Sequence, residues 1–489
     1  MHEGKGMEYF IGLDIGTSSV KAMLISETNI EKVISADYPI SFPQNGWAEQ
    51  NPNDWYNATV RLLRKLAKSV PRGSIKSISF SGQMHGLVML DNNDSVIRPA
   101  ILWNDGRSAK ETDYLNNEIG KEFLLKHTGN IAFAGFTAPK LLWVYNNEPE
   151  NFKRISKIML PKDYVAYRLS GNYATDVSDA AGTLYFDTEN RRWSEEMLKL
   201  LHINNNMLPQ VYESDEISGT LCVAAAEETG LGTEVKIIIG AGDNAASAIG
   251  TGTVNSGDCN ISLGTSGTVF VCSDSFKSDN KNAIHSFCSA NHKYHYLACT
   301  LTAASSQKWW EEEILKTEYR FIESLEIQKN DVLFLPYLMG ERSPINDSKV
   351  RGAFYGLSLD TSREQMTLAV LEGVAFSLKQ NLDIIRSNGV NVKRSKVCGG
   401  GAKSRKWLEI LASVLDIEIE IPVYEHGGSL GAAMLAAKAV LDEKSYSKLE
   451  KRFYTIKENI VPNNSLKNYY GDKYIKYLKL YPIIKVMEQ

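Results

Sequence analysis

The sequence is poor in the features that mark several protein classes, and each shortage excludes something. Its 489 residues include six cysteines, Cys222, Cys259, Cys272, Cys288, Cys299 and Cys398, dispersed and without a CxxC pair. Reduced, buried thiols are expected rather than a disulfide framework or a zinc site. Charge of neither sign dominates: 54 Lys and Arg stand against 58 Asp and Glu, a formal net charge of −4. A general nucleic-acid partner is therefore not expected. The strongest apolar run, Val235 to Gly242, is interrupted by Lys236 and falls far short of the ~20 residues of a membrane helix, so no membrane partner is expected either. Met1 to Phe10 carries charge and glycine where a signal peptide would carry a basic head and an apolar run. A cytoplasmic location is expected, with Met7 as an alternative initiator. No P-loop pattern is found, and no Gly-x-Gly-x-x-Gly followed by an acid.

What is present is a globular composition, 43% hydrophobic and 23% charged, over a length that suits two large α/β domains or about three units of roughly 150 residues. Two stretches echo one another half a chain apart. Asp14-Ile15-Gly16-Thr17-Ser18-Ser19-Val20 lies between the strand-like runs Tyr9 to Leu13 and Ala22 to Ile25. Ser262-Leu263-Gly264-Thr265-Ser266-Gly267-Thr268 precedes the strand-like run Val269 to Cys272. Each reads as a hairpin turn that exposes N–H groups and hydroxyls. They are either two unrelated glycine turns or two related halves whose facing turns form a phosphate clamp. Elsewhere, strands at Ser74 to Ser79 and Val235 to Ile239 alternate with helical spacing over Gln365 to Ile385 and Leu430 to Val440, as an α/β fold requires. Pro43 to Asn53, rich in Asn, Gln and Pro, reads as a surface excursion. The chain is divided after the glycine-rich stretch Gly240 to Gly252, giving domains 8–250 and 251–485.

Four constellations can carry chemistry. Asp14, at a strand end before Gly16 to Ser19 and Lys21, can hold Mg²⁺ directly or through water while the turn meets phosphate; it can equally be the structural Asp of a capped hairpin. Asp243 follows an apolar strand and two glycines at the mouth of a small-residue helix, the place of a general base or of a helix N-cap. Gly399, Gly400 and Gly401 follow a strand and precede a helix, where a nucleotide base or ribose can lie against backbone, or where a tight αβ connection is made. Ser81 to Gly86, followed by Trp103 to Arg107, offers the polar and aromatic groups that a polyhydroxylated ligand needs, although a lone His such as His85 is commonly structural.

Taken in order, these stretches resemble the FGGY carbohydrate kinases. The matching residues are Gly12 to Ser18, Gly82-Gln83-Met84-His85-Gly86, Ile101 to Arg107, Gly135 to Leu141, Leu160 to Tyr164 and Ser178 to Thr183. They continue with Gly242-Asp243-Asn244-Ala245, Ser262 to Gly267, Phe334 to Arg342 and Gly399 to Ala402, so the resemblance covers about Tyr9 to about Ala433. It implies two actin-like (ribonuclease H-like, hexokinase/Hsp70 superfamily) α/β domains with an interdomain catalytic cleft, the first mainly binding sugar and the second mainly nucleotide. The implied reaction is ATP-dependent, Mg²⁺-assisted phosphorylation of D-xylulose at its C5 hydroxyl. Another ketose or polyol, such as ribulose, and a non-catalytic sugar sensor are the rival readings. By motif, Asp243 resembles the catalytic base, beside Asn244, and Met84, His85, Trp103 and Asp105 the sugar contacts. Asp14 resembles the Mg²⁺- and phosphate-site aspartate, with Thr17, Ser18, Lys21, Thr265 and Ser266 toward the phosphates and Gly400 and Gly401 toward the adenosine. Asp243 is expected to be ionised at neutral pH, since an unperturbed Asp titrates near ~3.9. Ser19 and Lys403 depart from the family's usual Gly and Arg, and a homodimer is the family-level expectation.

Overall fold

The computed structural model describes residues 7–487 apart from 280, 282, 318 and 319. Two seven-stranded sheets organise them. The first contains β1 (Tyr9–Ile15), β2 (Ser19–Ser26), β3 (Ile30–Asp37), β4 (Ile75–Gly82), β5 (Ile217–Thr220), β6 (Lys236–Ile238) and the short β7 (Ala241–Gly242). Its order is β5-β6-β4-β1-β2-β3, with β7 also paired to β4. The second contains β8 (Cys259–Leu263), β9 (Gly267–Ser273), β10 (His285–Cys288), β11 (Tyr294–Thr300), β12 (Arg394–Cys398), β13 (Glu418–Pro422) and β14 (Ile456–Ile460). Its order is β10-β11-β9-β8-β12-β13-β14. Read from β3 and from β11, both sheets run through the same pairings: antiparallel, antiparallel, parallel, parallel, antiparallel. The echo in the sequence is therefore architectural. The two Gly-Thr-Ser turns close equivalent hairpins, β1–β2 and β8–β9.

Buried strands flanked by helices on both faces read as continuous apolar runs, and β1 follows that rule with Phe10, Ile11, Leu13 and Ile15 all fully buried. On one face of the first sheet, Ile11, Leu13, Ile78 and Phe80 meet Trp55, Leu62, Leu63 and Leu66 of α1 (Pro52–Ala67). Each such fully buried side chain contributes about 1.5–3 kcal/mol. On the other face, Phe10, Met23 and Ile238 meet α2 (Asp243–Thr251) and a helix from far along the chain, Gly427–Lys438. In the second sheet, Ile261, Val269 and Val271 pack with α3 (Arg363–Ser387) and α4 (Arg405–Leu415). α3 is started by a Ser362–Gln365 capping box.

The helix Gly427–Lys438, α5, decides how the halves meet. It is apolar all round, and Ser429 to Ala437 are buried, as expected of a helix enclosed on every side. It crosses from the C-terminal half onto the N-terminal sheet. A Cβ built on Gly12 would lie 2.1 Å from the Ser429 carbonyl oxygen, and one built on Gly431 would lie 1.7 Å from that of Ala246 in α2. Glycine at these positions is what allows backbone to approach backbone.

The segment Pro43 to Asn53 is only partly the expected surface excursion. Glu49–Gln50 forms a short strand, and α1 begins at Pro52 with Asn51 as its cap. Gln50 is buried because its amide ties several elements together, donating to the carbonyls of Thr17 (2.7 Å) and Pro39 (3.2 Å) and accepting from Trp55 and Gln83. Among the described residues no helix is long and apolar enough to cross a membrane. The six cysteines are free, with Cys259, Cys272 and Cys288 buried and Cys222, Cys299 and Cys398 only partly so.

Candidate active site

A cavity of about 210 Å³ opens where the halves meet, lined on one side by Met84, His85, Trp103, Phe133, Phe136, Asp243 and Asn244 and on the other by Ser266, Thr268, His285, Cys299 and Arg342. It is smaller than the ~300–1,000 Å³ of drug-sized pockets and suits a small polar ligand rather than a whole nucleotide.

Asp243 is the first residue of α2, and the cap position belongs to Gly242. The alternative of an ordinary Asp cap is thus excluded. Its Oδ1 accepts from the Asn244 backbone N–H (2.7 Å) and from Asn244 Nδ2 (2.9 Å), which fixes the carboxylate and leaves Oδ2 for a ligand. Upstream, the Gly242 N–H donates to Ser178 Oγ, which donates in turn to Asp176, so the mouth of α2 is anchored to a buried polar network. Burial, and then the negative charge of Asp14, push the Asp243 pKa up to about 7. This corrects the expectation of a carboxylate wholly ionised at neutral pH: the unperturbed value neglects both the low-dielectric surroundings and the second acid.

Asp14 sits near the end of β1, opposite Lys21 of β2 and Ser81 of β4. Its Oδ1 accepts from Ser81 Oγ (2.8 Å). Burial raises its pKa, against the lowering effects of Ser81 and the Lys21 charge. The N-terminus of α5 abuts it, for a Cβ built on Gly428 would lie 2.9 Å from Asp14 Oδ2. Helix N-terminal N–H groups there favour negative charge.

Both Gly-Thr-Ser turns border this region. Thr17 Oγ1 accepts from Trp103 Nε1 (3.0 Å), while the carbonyls of Thr17 and Ser18 accept from Gln50 Nε2 and the Tyr38 N–H. In the second turn the Thr265 carbonyl accepts from the Ala303 N–H (2.9 Å) and from Ser305 Oγ (2.7 Å). Carbonyls are thus engaged on the protein side, with the Ser18 and Thr265 side chains exposed and Ser266 on the cavity wall. Gly399 to Gly401 pack against the same turn: a Cβ on Gly399 would lie 2.9 Å from the Gly264 nitrogen, and one on Gly401 would collide with Trp407 at 2.6 Å. A Cβ on Gly400 would meet nothing within 4 Å, so its face is open.

His85 forms part of the wall in a left-handed backbone conformation, φ 68°. Its carbonyl accepts from the buried Lys140 Nζ (3.0 Å) and from Thr137 Oγ1 (3.1 Å), which holds that conformation. Burial, chiefly, lowers its pKa to about 3, so the ring is neutral. Nδ1 lies 2.7 Å from the Gly182 carbonyl, an acceptor, so Nδ1 carries the proton and Nε2 is left as an acceptor. Met84 packs beneath, its Sδ 3.9 Å from Asn244 Nδ2.

Asp105 does not belong to this site, which corrects its place among the sugar contacts. Its carboxylate is fully buried and saturated by the Ala48 N–H (2.6 Å), the Arg107 N–H (2.9 Å) and the Arg107 guanidinium, itself stacked 3.7 Å from the Trp47 ring centroid. Two residues earlier, Trp103 does reach the cavity. Ser81 and Lys140 fall within stretches singled out in the sequence, whereas the contribution of Gly428, Phe133 and His285 has no local signal there.

The donor set fits Mg²⁺. Among the described residues no group of three or more His, Cys, Asp or Glu could cage a metal. Mg²⁺ keeps several waters and is held by one or two carboxylates together with substrate phosphates, which is the set that Asp14 and the hydroxyl-bearing turns offer.

Comparison with known proteins agrees with the architecture. Residues 9–250 match the N-terminal domain model, and residues 259–440 the C-terminal domain model, of the FGGY family of carbohydrate kinases. The xylulose kinase of Staphylococcus xylosus is 35% identical over 483 residues, 97% of this chain and 100% of that protein. The xylulose kinase of Escherichia coli K12 is 39% identical over 456 residues, 90% of this chain and 92% of that one. The crystal structure of a xyloylose kinase from Brucella ovis aligns with a TM-score of 0.92 and 39% identity, covering 98% of this chain and 100% of that chain.

Proposed function

Because this chain belongs to the FGGY family of carbohydrate kinases, we propose that it transfers the terminal phosphoryl group of ATP to the C5 hydroxyl of D-xylulose. One observation carries the reading: a fixed carboxylate with one free oxygen faces a pentose-sized cavity while a second carboxylate and two hydroxyl-bearing turns border it. Asp243 Oδ2 accepts the C5 hydroxyl proton as that oxygen attacks the γ-phosphorus, and the bond to the ADP oxygen breaks with its electron pair leaving on ADP. A pKa near the working pH suits this base, since it must be ionised before transfer and hold the proton afterwards.

Phosphoryl transfer through a loose transition state demands alignment and charge neutralisation more than covalent assistance. Thr17, Ser18, Lys21, Thr265 and Ser266 orient the phosphates, and Gly400 and Gly401 let the adenosine lie against backbone. Asp14 would hold Mg²⁺ together with the substrate phosphates, and the ion when bound would neutralise charge on the transferring and leaving oxygens. On the sugar, neutral His85 accepts a hydrogen bond from a hydroxyl at Nε2 and Trp103 closes one wall. Both halves contribute to the site, so closure of the cleft excludes water and suppresses ATP hydrolysis. ATP as donor and six free thiols suit the cytoplasm.

A coupled ADP-release assay over D-xylulose, D-ribulose and xylitol, with and without Mg²⁺, tests the proposal. Mg²⁺-dependent turnover greatest with D-xylulose is expected. A preference for ribulose would move the specificity, and no acceptor-dependent ADP release with any of them would overturn the kinase reading.

A further inference from the structure

One end of the cavity carries a positive charge that neither the fold nor the transfer step uses. Arg342 lines it, and among the described residues its guanidinium has no ion pair and no hydrogen bond; its one close partner is the Phe133 ring, 5.6 Å from the guanidinium carbon to the centroid. The adjacent acid is not available to it. Glu341 is buried and its carboxylate accepts from the Leu301 N–H (2.9 Å), the Arg342 N–H (2.7 Å) and the Thr300 hydroxyl. The backbone that presents Arg342 is braced, with its carbonyl accepting from the Asn346 N–H and the next N–H, that of Ser343, donating to the Cys299 carbonyl.

The charge has a definite place. The guanidinium lies over the Phe133 ring, whose centroid is 5.4 Å from that of Phe136 and 4.9 Å from that of His285, so the charge belongs to the aromatic wall, where it helps burial to keep His85 and His285 neutral, whereas Asp243 is bonded to Asn244, itself beside Met84. The cavity thus presents a carboxylate on its Asn244 and Met84 side and a guanidinium on its aromatic side. An open-chain pentulose with its C5 hydroxyl at Asp243 carries its C2 carbonyl toward the aromatic side. A guanidinium offers five donors and no acceptor, and a carbonyl oxygen is an acceptor only, so the two are matched, while His85 Nε2 accepts a hydrogen bond from a neighbouring hydroxyl.

Resting on the kinase reading above, we propose that Arg342 reads the ketone end of the acceptor by donating from its guanidinium to the C2 carbonyl oxygen, which sets the preference for 2-ketoses over the corresponding polyols. Arg342 comes from the C-terminal half and His85 from the N-terminal half, so a ketose bridges both sides of the cleft and a polyol does so less well.

The test compares wild type, Arg342→Met and Arg342→Lys. It reads kcat/KM and KM for D-xylulose, the affinity of the pentitol formed by reducing C2, measured as a competing ligand, and KM for ATP. Arg342→Met is expected to lose about 10- to 100-fold in kcat/KM for the ketose, mainly through KM, as follows from losing a charged hydrogen bond. Pentitol affinity and KM for ATP should change little, so discrimination collapses; Arg342→Lys should fall between, its charge kept and its planar fork lost. Should Arg342→Met fail to fold, Arg342→Lys carries the comparison. An unchanged ketose-to-pentitol ratio, or a raised KM for ATP with an unchanged KM for sugar, overturns this inference alone. No ketose turnover by the wild type overturns the kinase reading and this inference with it.

Discussion

Replacing Asp243 by Asn separates what its charge does for chemistry from what it costs the fold. The group titrates at about 7 in the folded chain against an unperturbed 3.8, so the folded state holds the proton more tightly than the unfolded one. For an acid shifted upward, stability is greatest when both states are protonated and falls as pH rises. The loss begins near pH 4, where the unfolded carboxyl ionises, and is complete once pH passes about 7. A shift of about three units corresponds to about 4 kcal/mol. Asp243 is partly open to the cavity, and solvent screening there trims this to about 2–3 kcal/mol. Asp243→Asn keeps an acceptor for the Asn244 N–H and escapes the penalty. Its stability relative to wild type should therefore be about 2 kcal/mol more favourable at pH 8 than at pH 4.5, while turnover falls by about 10²- to 10⁴-fold. Thermal unfolding of both proteins across this range is the assay. An advantage equal at the two pH values, or a variant less stable than wild type at pH 8 alone, would refute the reasoning.

Other consequences follow from the same contacts. In the wild type, kcat/KM for the sugar should rise with pH through about 7, since the free enzyme's base must lose its proton; a flat profile from pH 6 to 8 in steady-state assays would contradict this. Gly428→Ala places a methyl 2.9 Å from Asp14 Oδ2 and should lower kcat by about 10- to 100-fold with unfolding little changed. Gly400→Ala meets no atom within 4 Å and should leave unfolding unchanged, any effect appearing in KM for ATP. Asp105→Ala strips Arg107 and the Ala48 N–H of their buried partner and should destabilise by about 3–5 kcal/mol in denaturant titrations. The folded fraction should keep its KM for sugar.

What could be read from the sequence is what local chemistry writes. A Gly-Thr-Ser turn between apolar runs makes a hairpin wherever it stands, so the echo of residues 16–18 in 264–266 anticipated two equivalent sheets. A strand, two glycines, an acid and a small-residue helix likewise announced the mouth of α2. The contacts that escaped are those between distant segments. Nothing near Asp14 says that Gly428, more than four hundred residues later, will sit against it, or that α5 will lie on the other half's sheet. Asp105 stands beside a residue that reaches the cavity, yet its carboxylate is claimed by Arg107 and Ala48. The polar segment Pro43 to Asn53 reads as solvent-facing because composition cannot show that Gln50 spends its amide on Thr17, Trp55 and Gln83. The raised pKa of Asp243 has the same origin, since its second cause, Asp14, lies on β1, far away in the chain.

A ternary crystal structure with ADP and D-xylulose measures the central geometry directly. The sugar's O5 should lie within about 3 Å of Asp243 Oδ2, on the line to the β-phosphate, with the nucleotide phosphates between the turns at Thr17 and Thr265. A sugar whose C5 hydroxyl points away from Asp243, or a nucleotide bound outside the gap between the halves, would contradict the account.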